Sequence, residues 1–222
     1  MIQMRKGVSM KKKNVMWKSV FIGVIGVLGL LLIFSFVGRK QQQEKLRQWS
    51  AIVAQTAQKM KTDEKTEVYA KGKTVTIPLL DYEQMVEYYK LNNLKEDEAK
   101  QEAEIYVKER YAIYAEAIEQ GYTAAEEDIN EYLEALKTEM SDEKNKKTAE
   151  IIEETFGTKE AYWEYERELA KVDLPIKQYI NAVAKQYKEE NEKASQKEWN
   201  KRFDSMKNDL VKKQEFKVMI NN

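Results

Sequence analysis

Histidine and cysteine are absent from all 222 residues. Their absence excludes Ser-His-Asp and Cys-His catalysis, zinc sites built on imidazole or thiolate, and any disulfide. Proline occurs twice, and only Gly72, Gly121 and Gly157 follow Gly38. No phosphate-cradling loop or dinucleotide fingerprint can be assembled from so few glycines. Acidic side chains are absent from residues 1–40, which hold eight basic ones, so the remainder carries 30 basic against 38 acidic groups. That balance does not suit a nucleic-acid interface.

Ser19 to Gly38 is the one long apolar run, SVFIGVIGVLGLLLIFSFVG. Twenty helical residues rise about 30 Å, the thickness of a bilayer's hydrocarbon core. Six basic residues precede the run, and Arg39, Lys40, Lys45 and Arg47 follow it. The asymmetry favours a cytoplasmic N-terminus. A basic start before an apolar run also opens a secretory signal. Here the run is long, no small-x-small site closes it, and no lipobox cysteine exists. The sequence therefore reads as a cytoplasmic tail (1–18), an uncleaved transmembrane signal anchor (19–38), a stalk (39–65) and an extracytoplasmic domain (66–222). Localisation is a single-pass cell-membrane protein.

The domain reads as mostly α with a small antiparallel sheet. Val68 and Ala70, then Val75 and Ile77, alternate with polar residues around Lys71-Gly72-Lys73, predicting a hairpin, and Pro78 stops its second strand. Asp81 is expected to cap the next helix. A second helix, about 95–120, carries Ala99, Ala103, Tyr106, Val107, Tyr111, Tyr114 and Ile118 as one stripe and stops at Gly121. Thr123-Ala-Ala-Glu126 has the form of a capping box opening a third helix. A short helix ends at Gly157, and Thr158 caps the next, which Pro175 kinks or divides. Trp199, Phe203, Met206 and Leu210 define a last helix. Phe216, Val218 and Ile220 alternate, predicting a strand that pairs with the hairpin, since a lone strand needs a partner.

Three stretches carry a family resemblance. KGKTVTIPLLDYEQMVEYYKL resembles the opening of the SurA N-terminal domain, EAIEQGYTAAEEDINEYLEAL its second-to-third helix turn, and ETFGTKEAYWEYERELAKVDLPIKQYI the segment after it. The resemblance covers roughly residues 66–192, and the closing helix and strand resemble the C-terminal return of SurA- and PrsA-like foldases. It implies an extracytoplasmic chaperone for unfolded or newly secreted polypeptides, placed beside the secretion channel. Many relatives carry a parvulin prolyl-isomerase domain where this chain has only about Glu190 to Gln196, so the resemblance does not extend to that activity.

The expected function is thus a membrane-anchored holdase with no catalytic residue, metal or cofactor and no nucleic-acid partner. Its expected client wall is Tyr88, Tyr89, Tyr106, Tyr114, Tyr162, Trp163 and Tyr165, although stripes at helical spacing also describe ordinary core. A non-catalytic scaffold docking one dedicated envelope partner fits the same features. Two-carboxylate enzyme chemistry is the third reading, disfavoured because 38 acids make close pairs inevitable.

Overall fold

The computed structural model describes residues 39–220. The tail and the apolar run assigned to the span lie outside them, and among the described residues no helix is long and apolar enough to cross a membrane. Seven α-helices and three strands follow in the order α1 (Arg39–Lys59), β1 (Val68–Lys71), β2 (Thr76–Pro78), α2 (Leu79–Leu91), α3 (Glu96–Glu119), α4 (Glu126–Ser141), α5 (Lys146–Phe156), α6 (Lys159–Glu190), α7 (Gln196–Gln214) and β3 (Lys217–Val218).

The sheet has the order β2-β1-β3 and is antiparallel throughout. Ala70 sits opposite Val218, and the Met219 amide donates to the Tyr69 carbonyl at 2.8 Å. The closing strand thus pairs with the hairpin as expected, though its regular part is only Lys217–Val218. Gly72 lies where β1 meets the end of α7. A Cβ there would stand 2.7 Å from Gln214 Oε1 and 2.8 Å from Phe216 Cε1, so glycine permits the close approach.

The segment read as a stalk is instead a wall of the core. Leu46, Trp49, Val53 and Ala57 recur along one side of α1 and are buried in the main cluster with Tyr88, Val107 and Ile151. Charged and amide side chains on its other faces keep the mean hydropathy of α1 low, which hides the stripe in composition. Packing fixes the direction of its neighbour: Trp49 meets Tyr88 edge-on at 5.3 Å, while Lys59 pairs with Glu83. Helices α1 and α2 are therefore antiparallel.

Helix boundaries differ from expectation at three places. Helix α2 begins at Leu79 behind Pro78, so Asp81 lies inside its first turn and is not the cap. Its carboxylate accepts a hydrogen bond from Tyr111 Oη at 2.6 Å, a tertiary use that outcompetes local capping. Helix α4 starts at Glu126 behind Ala125, leaving Thr123 outside the cap. Helix α6 runs unbroken through Pro175, where burial of Pro175, Ile176 and Ile180 offsets the hydrogen bond that proline cannot donate. The left-handed stops at Gly121 (φ 84°) and Gly157 (φ 77°) occur as predicted. So does the Thr158 cap, whose hydroxyl accepts from the Ala161 amide at 3.2 Å. Residues 191–195 form only a short turn into α7, which Ser195 opens with a capping box to Glu198.

Candidate functional site

The seven aromatic residues proposed as a client wall divide between core and rim. Tyr88, Tyr162 and Tyr165 are core residues, and Tyr89, Tyr106, Tyr114 and Trp163 are half-buried against the same cluster. They form separate groups. On α2 and α3, Tyr88 packs edge-on to Tyr89 (5.3 Å), and Tyr114 to Tyr111 (6.3 Å). At the start of α6, Tyr162 and Trp163 lie 4.7 Å apart, and Phe156 contacts both Tyr162 and Tyr165.

The α6 group opens onto the surface as clefts. A cleft of about 190 Å³ lies between α4, α5 and α6, with Met140, Ile152, Tyr162 and Trp163 in its lining and Lys137 and Lys159 also present. Lys137 Nζ sits 5.7 Å from the Trp163 ring, a distance at which the ring's quadrupole attracts the ammonium. The volume is below the ~300–1,000 Å³ of drug-sized ligand sites and suits one large side chain. A second groove of about 330 Å³ lies across the same stretch of α6, with Ala57, Met60 and Tyr165 in its lining and the Lys61–Glu164 ion pair beside it. The first three turns of α6 therefore carry concave, partly apolar surface facing both α1 and α4–α5.

Behind this surface lies a buried polar cluster that sequence reading missed. Arg110 of α3 forms an ion pair with Asp173 of α6, both side chains under a tenth exposed. Asp81 of α2 and Tyr106 of α3 share a cavity of about 30 Å³ with them, room for one or two waters. Burial pushes the Asp173 carboxyl up to about 6, against the pull of Arg110. Asp81 is likewise raised by burial, opposed by Arg110 and by the Tyr111 hydroxyl. One guanidinium thus serves two carboxylates, Asp173 buried and Asp81 half-buried. Burial disfavours the Arg110 charge, yet Asp173 and its other neighbours raise its pKa overall. Next to this cluster Gln84 Nε2 donates to Tyr165 Oη at 3.1 Å, so α2, α3 and α6 are tied by polar contacts as well as packing. The available signal was a charged residue at an apolar position: Arg110 follows Tyr106 and Val107 by four and three residues, and Asp173 stands between Val172 and Leu174.

No group of acidic residues among those described is arranged to hold a metal ion. No family model matches the chain, and no curated protein or solved structure is similar to it.

Proposed function

We propose that this protein is a membrane-anchored, extracytoplasmic holdase that binds unfolded or newly secreted polypeptides without prolyl-isomerase activity. The observation that carries the reading is the cleft at Met140, Ile152, Tyr162 and Trp163. It presents a flexible thioether, an aliphatic side chain and aromatic faces, a lining that repacks around varied apolar side chains. Two of its residues belong to the wall proposed from the sequence. The resemblance of residues 66–192 to SurA-type domains supports the same reading, as does the return of the C-terminal strand to the hairpin.

The scaffold reading draws on a different observation. Large exposed apolar side chains are few among the described residues: Ile105, Ile118, Val218 and Met219. A dedicated partner needs one small anchor pocket, whereas a holdase needs several weak ones. An enzymatic reading gains little from the raised Asp173, because its cavity admits water and no substrate. Suppression of aggregation separates the first two. A holdase keeps several unrelated unfolded proteins soluble at near-stoichiometric ratios without nucleotide, while a scaffold captures one partner and leaves unrelated chains to aggregate.

A further inference from the structure

Helix α1 sets how far the domain stands from the apolar run. Its first core residue among the described side chains is Leu46, only eight residues beyond Gly38, and Arg39 to Lys45 are already helical. That separation is about 12 Å along a helix. No flexible stalk intervenes, because the segment that would form one is packed into the core.

Packing then identifies which end of the domain faces the run. Tyr88 of α2 sits beside Trp49, and α2 continues toward the start of α1 for one more turn. The α2–α3 turn, Asn92 to Lys95, therefore lies at about the level of Leu46. On the other side Arg47 pairs with Glu154, and the Ser50 and Thr155 hydroxyls are hydrogen-bonded. From there the chain moves away from this end: Ala161, three residues beyond Thr158, lines a groove with Ala57, Met60 and Lys61 at the far end of α1. Helix α3 starts at this end and leads away from it: Tyr111 reaches Asp81, at the opposite end of α2 from Tyr88. Its 24 residues carry Gln120 about 35 Å from Lys95.

Taking residues 19–38 as a bilayer span, as the proposed function does, we propose that the end of the domain formed by the start of α1 and the α2–α3 turn rests on the phospholipid headgroups. The occupant of this surface is a lipid bilayer. The C-terminal end of α3 points away from it.

The absence of cysteine makes the test direct. Lys95→Cys and Gln120→Cys both fall at exposed positions. Each full-length variant carries one donor dye and is reconstituted into phosphatidylcholine–phosphatidylglycerol vesicles containing acceptor-labelled headgroups. Transfer from position 95 is expected to exceed that from 120 several-fold. Carbonate extraction of the same vesicles reports membrane integration separately. Integrated protein with equal transfer from both positions, or with the stronger transfer from 120, overturns the docking proposal and leaves the anchor standing. Protein released by carbonate overturns the anchor and the docking with it.

Discussion

Replacing Asp173 by asparagine tests the physical chemistry of the buried cluster. Asp173 is raised from an ordinary 3.8 to about 6 because burial penalises its charge more than Arg110 rewards it. A raised carboxylate binds its proton more tightly in the folded than in the unfolded chain. Its contribution to stability is therefore complete below the unfolded value and lost as pH rises through about 6. A gap of roughly two pH units is worth ~3 kcal/mol. The raw pH profile mixes this with opposite contributions from exposed carboxylates held low by lysine or cap partners, among them Glu96, Glu198 and Glu215. The difference between wild type and Asp173→Asn removes them. Asparagine mimics the protonated acid in shape and leaves Asp81 to balance Arg110. At pH 4.5 the unfolded carboxyl is already mostly ionised, so urea unfolding at pH 4.5 and 7.5 is expected to show wild type losing ~2 kcal/mol relative to the variant as pH rises. Parallel profiles would refute the reasoning. So would a variant that fares worse at pH 7.5, since the Arg110 ion pair would then outweigh the burial penalty.

Two further substitutions probe the assembly of the domain. Trp49→Ala removes a fully buried ring from α1 and is expected to cost ~3–5 kcal/mol in urea unfolding; a cost below 1 kcal/mol would restore the stalk reading. Gly72→Ala forces a methyl group against Gln214 and Phe216, with an expected cost of ~1–3 kcal/mol. Faster amide exchange confined to the β1–β3 pairing should accompany it, and unchanged exchange there would show that the C-terminal return yields freely.

Elements whose signals are local were legible in the sequence. Gly121 and Gly157 stop helices because each must take positive φ, and glycine does so without strain. Trp199, Phe203, Met206 and Leu210 recur at helical spacing and are all buried. The closing strand was legible by elimination, because Phe216 to Ile220 had only the hairpin to pair with. What escaped reading was decided by tertiary competition. Asp81 has the chemistry of a cap, but Tyr111 claims its carboxylate. Helix α1 shows a stripe diluted by charged and amide side chains, and only its neighbours reveal that the stripe is covered. Of the proposed client wall, the sequence located the aromatic residues but not their exposure. Periodicity assigns Tyr88 and Trp163 alike to helix faces, and only the gap between α4, α5 and α6 leaves Trp163 beside an open cleft.

Light scattering from aggregating clients bears most directly on the proposed function. Residues 39–222, which retain every described element, are added to several unrelated unfolded proteins, in parallel with a Trp163→Ala variant whose helical content is verified by circular dichroism. Holdase action through the α6 cleft predicts suppression of all clients by wild type near equimolar ratio and a several-fold higher requirement for the variant. Wild-type protein that is folded yet leaves every client to aggregate would contradict the holdase function, and equal suppression by the two proteins would contradict the cleft as its site.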